Sequence, residues 1–256
     1  MTPETHRPDS AAAAPAGSRL ARLQCGHNAD VVLAQPERAS AAALGRAHAV
    51  LDDAERARAA AFARQRDRDL YAFSHGFLRL TLARYLGADA RALRFRCGAA
   101  GRPELMSAGR APIRFNLSHT EGLVACIVTG SAPCGVDVES FARIDHRKLP
   151  ARLLAAPEAD ALMALSEALR RDRLLEIWTL KEAYLKARGL GLSKPLRDIA
   201  FSDFGAAPRC AVGPGLDDRG SAWRFWSGAP TPHHRAAAAI RTGGEAASFS
   251  ILDAEI

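Results

Sequence analysis

Two charged segments constrain this chain more than any other feature of its sequence. They are residues 135–139 (GVDVE) and residues 178–189 (WTLKEAYLKARG), about forty residues apart. The first segment alternates apolar and acidic residues, which is typical of a strand with one buried face. Because side chains alternate between the two faces of a strand, Asp137 and Glu139 share one face, and the valines beside them face a core.

The second segment has the spacing of a helix. Trp178, Glu182 and Lys186 are four residues apart and therefore lie in one row, with Lys181 beside it. Carboxylates are preferred ligands of Mg²⁺, and lysine binds phosphate as a point charge. If the two segments meet, they predict a site for a divalent metal and a phosphorylated ligand.

Each segment taken alone also fits a plainer interpretation. An isolated Asp-x-Glu pair more often lies on the wet face of an edge strand, and Glu182 with Lys186 fits an ordinary surface pair on a helix. Lysine occurs only at positions 148, 181, 186 and 194, whereas Lys and Arg together number 35. An ammonium group differs from a guanidinium in shape and hydration, so two lysines within one helix are consistent with a functional choice or with chance.

The charge of the chain points to anionic partners. The formal charge is +7, and 48% of the 256 residues are hydrophobic, which suffices for one large domain or two small ones. A basic surface suits nucleic acid, a membrane, a phosphorylated ligand or an acidic protein. Basic residues form no run of five or six, only 6% of residues are aromatic, and no zinc or helix-turn-helix motif occurs. A nucleic-acid partner is therefore disfavoured.

The cysteine content and the N-terminus predict a cytoplasmic location. The five cysteines form no Cys-x-x-Cys pair and no Cys/His spacing of a metal site. This favours a reduced setting. The N-terminal residues lack an apolar signal core, and no apolar run reaches the ~18 residues of a membrane span. We therefore expect a soluble cytoplasmic protein with no membrane partner.

The order of elements predicts the α+β class with a mostly antiparallel sheet. Residues 1–17 have the composition of a disordered tail. Residues 18–130 and 131–256 form two expected halves, each with a helical portion followed by short strands. Expected helices cover residues 38–60, 69–86, 147–156, 157–169 and 171–188, and expected strands lie within 20–33, 93–96, 113–116, 123–129, 136–139, 199–201, 223–226, 236–240 and 248–252, with a loop at 205–220.

Two further segments carry side chains suited to phosphate. Residues 116–120 (NLSHT) follow an expected strand and present Ser118 and His119, while residues 101–103 (GRP) form a turn that can project Arg102. A Ser–His hydrolase is disfavoured, because neighbouring side chains point apart on an extended chain and no G-x-S-x-G elbow surrounds Ser118. An ordinary polar turn and an exposed arginine are the plainer interpretations.

Taken together, these segments resemble the 4′-phosphopantetheinyl transferase superfamily, specifically its long, surfactin-synthetase-activating type. Four motifs occur in the family's order: residues 101–103 (GRP), 115–120 (FNLSHT), 135–139 (GVDVE) and 178–189 (W-x-x-K-E-A-x-x-K-x-x-G). The resemblance implies two similar α+β halves with the active site in the cleft between them. It also implies transfer of the 4′-phosphopantetheine arm of coenzyme A to a serine of an apo carrier protein, with release of adenosine 3′,5′-bisphosphate.

The resemblance further implies roles for individual residues. Asp137, Glu139 and Glu182 are the expected ligands of Mg²⁺, with Mn²⁺ as an alternative. Glu182 and Lys186 are the expected catalytic residues, as proton acceptor and as phosphate contact. A carboxylate bound to a metal is a poorer base, so the two roles of Glu182 compete. The residues expected to bind coenzyme A are Lys186, Ser118, His119, Arg102 and, by a poorer match, Arg58.

The expected protein partner is acidic. Carrier proteins of this system are usually acidic, and a basic transferase would gain in encounter rate from electrostatic steering. The length of the chain places both halves of the expected site in one polypeptide, which predicts a monomer. Carriers of fatty-acid, polyketide and nonribosomal-peptide synthesis are all consistent with the sequence. Two other hypotheses stay open at this point: a non-catalytic module that binds coenzyme A or a nucleotide, and a basic nucleic-acid-binding protein.

Overall fold

The structure is a computed structural model that describes residues 16–98, 102–106, 113–142, 153–191, 195–205 and 207–254. In these ranges the helices are α1 (Ala16–Gln24), α2 (Ala41–Ala49), α3 (Asp53–Ala60), α4 (Gln65–Leu86), α5 (Ala156–Met163) and α6 (Glu167–Arg188). Short 3-10 turns lie at Pro36–Arg38, Ala90–Ala92, Leu196–Asp198, Pro214–Leu216 and Gly220–Ala222.

The strands form two main sheets and two small ribbons. They are β1 (Asn28–Ala34), β2 (Phe95–Cys97), β3 (Pro103–Leu105), β4 (Arg114–Thr120), β5 (Leu123–Thr129), β6 (Cys134–Ser140), β7 (Ile199–Ser202), β8 (Arg209–Val212), β9 (Trp223–Thr231), β10 (His234–Arg241) and β11 (Ser248–Asp253). The first sheet has the order β11-β1-β5-β4 and the second the order β6-β10-β9, while β2 pairs with β3 and β7 with β8.

Strand β5 lies at the centre of the molecule and is buried along its whole length. Its even-numbered residues, such as Val124 and Val128, pack with Phe77 and Leu82 of α4 in one core. Its odd-numbered residues, such as Ile127, pack against β6 and β10 in a second core. A strand buried on both faces has no polar side, which is why residues 123–128 read as a continuous apolar run.

Helix α6 covers the other face of the second sheet, and one glycine permits its close approach. Leu180 and Tyr184 of α6 pack with Ala237 and Ala239 of β10. A Cβ atom at Gly135 of β6 would overlap the carbonyl oxygen of Ala183 and the backbone nitrogen of Ala187. The absence of a side chain at this position therefore sets the distance between β6 and α6.

Helices α3 and α4 are joined by a buried ion-pair network. Arg79 of α4 is fully buried, and its guanidinium donates to Glu55 at 2.6 Å, to Asp52, and to the carbonyl oxygens of Ala90 and Leu93 at 3.2 and 3.0 Å. Asp52 and Glu55 also form the capping box that begins α3. This cap divides the helix expected over residues 38–60 into α2 and α3.

The predicted α+β class is confirmed, and several expected boundaries are corrected. Residues 16 and 17, expected in the disordered tail, begin α1, whose Leu23 is buried in the first core. The strand expected at 113–116 extends to Thr120, so residues 117–120 are not a loop. The loop expected at 205–220 contains β8, which pairs with β7 despite its Pro/Gly-rich surroundings.

Some of the predictions from the sequence concern residues outside the described ranges. Residues 1–15, Gly101 and most of the helix expected at 147–156 lie outside the described residues.

Strand β11, from the end of the expected second half, pairs in parallel with β1 of the first half. A division at residue 130 therefore separates two strands of one sheet. Among the helices of the described ranges, none has the length and apolar character needed to cross a bilayer.

We predict that Gly135→Ala lowers the free energy of unfolding by about 1–3 kcal/mol, because the added methyl group forces α6 away from β6. Urea denaturation at constant m-value would measure the loss. Gly45→Ala is the matched control, since position 45 is an exposed helical site where a Cβ meets nothing within 4 Å. That variant should gain about 0.5–1 kcal/mol. Equal effects of the two substitutions would contradict the close contact.

Candidate active site

The two main sheets meet at a junction between β4 and β6 that is made by side chains. The side-chain oxygen of Asn116 accepts a hydrogen bond from the backbone nitrogen of Val136 at 3.0 Å, and the hydroxyl of Ser118 accepts one from Val138 at 3.4 Å. Both pairs are twenty residues apart in sequence, so the strands run side by side in the same direction. Side-chain oxygens thus replace the carbonyl groups of a normal ladder and satisfy buried N–H groups at the edge of β6.

Ser118 connects this junction to the acidic face of β6. Its hydroxyl donates to Oδ1 of Asp137 at 3.0 Å and accepts from Nζ of Lys186 at 2.9 Å. The residue is buried. One donor and two acceptor positions are all that a serine hydroxyl has, so the hydrogen-bonding capacity of Ser118 is fully used within the protein.

The alternation predicted for β6 is confirmed. Val136 and Val138 lie in the core between the sheets. Asp137, 4% exposed, and the half-buried Glu139 lie on the opposite face, under α6. Nε1 of Trp178 donates to Oε1 of Glu139 at 3.2 Å. Trp178 therefore orients one of the acidic side chains.

The helical row of α6 lies antiparallel over this acidic face. Trp178 contacts Glu139 at one end, and Nζ of Lys186 donates to Oδ1 of Asp137 at 2.6 Å at the other. Glu182 lies between them. Asp137, Glu139, Glu182 and Lys186 together form the cluster that we call the acidic row. Two of its carboxylate oxygens, Oε1 of Glu182 and Oδ2 of Asp137, are buried and have no hydrogen-bond partner.

The carboxylates of the acidic row repel one another. Burial of Glu182 and the negative charge of Asp137 and Glu139 raise the pKa of the Glu182 carboxyl to about 7, although Lys186 opposes the shift. Three carboxylates thus face one ammonium group. The pKa of Glu182 reflects the cost of placing a third negative charge in a partly buried cluster.

The donor set of this cluster fits a divalent cation in chemistry and charge. Carboxylate oxygens are the ligands that Mg²⁺ and Mn²⁺ prefer, and the two unpartnered buried oxygens are available to a cation. The side chains do not form a finished ligand set, because Lys186 holds Asp137 and Trp178 holds Glu139. Accordingly, within the described part of the chain no group of three or more His, Cys, Asp and Glu residues is arranged to hold a metal ion as it stands.

Arg102 joins the three elements that meet at the site. Its guanidinium donates to the carbonyl oxygens of Lys186 at 2.8 Å, of Phe115 at 2.5 Å and of Cys134 at 3.3 Å. These carbonyl groups belong to α6, β4 and β6. The structure therefore gives Arg102 a positioning role, in addition to the phosphate contact expected from the sequence.

Lys181 and Glu158 form a fully buried pair behind the site. Nζ of Lys181 donates to Oε2 of Glu158 at 2.5 Å and to the carbonyl oxygens of Leu153 and Leu196 at 2.6 and 3.0 Å. Oε1 of Glu158 accepts from the backbone nitrogen of Phe201 at 2.8 Å. All three ammonium protons have partners, so the pair anchors α6 to α5 and β7.

The two remaining expected site residues, His119 and Arg58, are exposed. His119 follows Ser118 on β4 and is exposed, whereas Ser118 is buried, as the alternation of an extended chain requires. Arg58 is exposed on α3, where its guanidinium lies 5.9 Å from the centre of the Phe62 ring. The structure thus brings together Ser118, Asp137, Glu139, Glu182 and Lys186, with Arg102 behind them.

Sequence reasoning missed three contributors to the site. Asn116, which lies in the segment whose plainer interpretation was a polar turn, joins β4 to β6. Gly135 and Glu158 were not singled out. A glycine that begins an acidic strand was a usable indication of close packing, whereas the partner of a buried lysine twenty-three residues away is not visible in the sequence.

Comparison with known proteins bears on the same residues. Residues 133–240 match the family model of the 4′-phosphopantetheinyl transferase superfamily. The predicted resemblance to this superfamily is confirmed. The matched region includes Asp137, Glu139, Glu182 and Lys186.

Several relatives carry the same family name. HetI of Nostoc sp. (strain PCC 7120) is 32% identical over 148 residues, which cover 57% of this chain and 62% of HetI. Sfp of Bacillus subtilis (strain 168) is 29% identical over 119 residues, which cover 46% of this chain and 51% of Sfp. Both are named 4′-phosphopantetheinyl transferases. The chain therefore spans about half to three fifths of the length of these curated relatives.

Solved structures with partial similarity carry a related name. The holo-[acyl-carrier-protein] synthase of Thermotoga maritima has a TM-score of 0.36 and 21% identity, with coverage of 43% of this chain and 63% of that chain. A holo-(acyl-carrier-protein) synthase of Bacillus anthracis, solved in complex with CoA, has a TM-score of 0.36 and 20% identity, with coverage of 43% and 96%.

We predict that Glu182→Gln raises the free energy of unfolding by about 1 kcal/mol at pH 8 in the presence of a chelator, because it removes one charge from the crowded row. Glu176→Gln on the same helix is the matched control. Glu176 is buried and pairs with Arg173 at 3.1 Å and with Ser227 at 2.9 Å, so its substitution should destabilise the protein. Thermal unfolding measured side by side decides the point. A loss of stability in both variants would show that Glu182 is not electrostatically strained.

Proposed function

We propose that this protein transfers the 4′-phosphopantetheine arm of coenzyme A to a serine of an apo carrier protein and releases adenosine 3′,5′-bisphosphate. One observation carries the proposal: the strand face with Asp137 and Glu139 and the helical row with Glu182 and Lys186 meet, as the motif resemblance requires. The active-site cleft between two similar halves, implied by the resemblance, is part of this proposal.

The metal is proposed to bind at the acidic row. Asp137, Glu139 and Glu182 would hold Mg²⁺ or Mn²⁺, and the two unpartnered oxygens support this assignment. A divalent cation at this position would supply charge stabilisation to a diphosphate. The excess of negative charge in the row gives the protein a physical reason to bind it.

The chemistry asked of the protein's own residues is proton acceptance and charge stabilisation. The serine oxygen of the carrier forms a bond to the β-phosphorus of coenzyme A, and the bond from that phosphorus to the bridging oxygen breaks. The serine proton is proposed to pass to Glu182, whose carboxyl lies between Trp178 and Lys186 on α6. A bound metal would lower the basicity of this carboxylate, so its roles as base and as metal ligand compete. Lys186 offsets the negative charge that develops on the phosphate oxygens.

The nucleotide end of coenzyme A is proposed to lie along the exposed side of β4. His119 is exposed there and can donate to the adenosine 3′-phosphate. Ser118 can join it only by giving up a present partner, because its hydroxyl is saturated. Arg102 and Arg58 complete the expected contacts, with Arg58 assigned by motif alignment alone.

The partner is proposed to be an acidic acyl or peptidyl carrier protein. The formal charge of +7 favours its encounter through electrostatic steering. A cytoplasmic monomer that contains the whole site is the state proposed for the transferase. The hypothesis of a non-catalytic module is disfavoured, because the four residues that the proposed chemistry needs are all present: Asp137, Glu139, Glu182 and Lys186.

We predict that incubation with coenzyme A, Mg²⁺ and apo carrier protein adds about 340 Da to the carrier, which is the mass of the arm. Intact-protein mass spectrometry with several acyl and peptidyl carriers measures the transfer. Failure to modify any of them would refute the proposed activity, and coenzyme A binding without turnover would favour the non-catalytic module.

We predict that Asp137→Ala reduces the transfer rate by about 100-fold or more, because it removes a proposed metal ligand that also binds Lys186. Circular dichroism should show an intact fold. Asp253→Ala, which removes an exposed carboxylate of β11, is the matched control and should retain full activity. Transfer by Asp137→Ala at the rate of this control would contradict the assignment of the acidic row.

A further inference from the structure

Lys186 binds one of the two carboxylate oxygens of Asp137, a proposed metal ligand. Its Nζ donates to Oδ1 of Asp137 at 2.6 Å, and the hydroxyl of Ser118 donates to the same oxygen at 3.0 Å. Lys186 also donates to Ser118 at 2.9 Å, so the three groups form a closed triangle. The other oxygen of Asp137, Oδ2, is buried and has no partner.

An ammonium group and a divalent cation do not share such a position without cost. Both are positive, and two cations bound to the same partly buried carboxylate repel each other strongly. Oδ1 of Asp137 already accepts two hydrogen bonds, from Lys186 and from Ser118. A metal bound to Asp137 would therefore have to displace the ammonium of Lys186 or bind beside it against that repulsion.

The surroundings of Lys186 allow such a displacement. Its side chain is 29% exposed, whereas the side chain of Asp137 is 5% exposed. A flexible lysine at the edge of the cluster can move into solvent while Asp137, held under α6, cannot. The released ammonium would then be adjacent to the row, where a phosphate group on the metal would meet it.

We propose that Lys186 is a built-in competitor of the metal: the ammonium binds Asp137 when no divalent cation does, and metal binding releases it to the anionic ligand. The inference rests on the proposed function. It assigns Lys186 a second role, in which it sets metal affinity and couples metal binding to phosphate binding. By linkage, an anion that holds the released Lys186 raises the affinity for the metal by the same factor as the metal raises that for the anion.

Lys181 shows by contrast what a fixed lysine looks like in the same helix. It is fully buried, and its three protons are bound by Glu158 and two carbonyl oxygens. The two lysines, five residues apart, therefore have different functions, and Lys181 supplies an internal reference for any measurement on Lys186.

The first test is metal affinity in the absence of coenzyme A. Mn²⁺ binding measured by electron paramagnetic resonance should be about tenfold or more tighter for Lys186→Met than for the unmodified chain, because the competing cation is gone. Arg188→Met is the matched control: it removes one positive charge from the same helix, but Arg188 pairs with Asp218 at 2.7 Å and not with Asp137. Its Mn²⁺ affinity should change by about twofold or less. Equal or weaker binding by Lys186→Met would overturn the inference.

The second test follows the ammonium itself. Acetylation of the intact protein, read residue by residue by mass spectrometry, should proceed several-fold faster at Lys186 when Mg²⁺ is added, whereas the buried Lys181 should remain protected in both conditions. Bound Mg²⁺ with an unchanged rate at Lys186 would overturn the inference and leave the proposed metal site standing. No metal binding by any variant would overturn both.

Discussion

The site depends on the junction between β4 and β6. There the side chains of Asn116 and Ser118 accept hydrogen bonds that the backbone of a neighbouring strand would accept in a regular sheet. Their side-chain oxygens bind the backbone nitrogens of Val136 and Val138. Because these bonds run through side chains, β4 and β6 are held together without forming one continuous sheet. As a result, the hydroxyl of Ser118 lies beside the acidic face of β6. The edge of β6 that faces β4 is not paired in a regular backbone ladder.

Helix α6 completes the site because Gly135 lets it lie directly on β6 and because buried pairs hold it there. Arg102 ties its C-terminal turn to both strands, and Lys181 ties its other side to Glu158. The result is a rigid frame around a cluster with more negative than positive charge. Binding sites commonly sacrifice stability in this way, since groups arranged for a ligand repel each other in its absence.

The sequence predicted the core of the site and missed the frame around it. Asp137 and Glu139 on one face of a strand, and the row that includes Glu182 and Lys186, followed from the periods of a strand and a helix alone. The bonds of Asn116 and Arg102 did not, because they join elements that are distant in sequence. Strand β8 was missed for a different reason: its Pro/Gly-rich surroundings indicated a loop, although pairing with the preceding strand β7 makes it a strand.

The acidic row is proposed to bind a divalent cation that carries a phosphate group of the ligand. Pulsed electron-nuclear double resonance of bound Mn²⁺ tests it most directly, since a phosphorus nucleus within bonding distance of the metal gives a resolved coupling. The account predicts one bound Mn²⁺ with a ³¹P coupling that appears on addition of coenzyme A and is lost in Asp137→Asn. A ³¹P coupling of undiminished strength in Asp137→Asn, or Mn²⁺ bound with no ³¹P coupling in the unmodified chain, would contradict it.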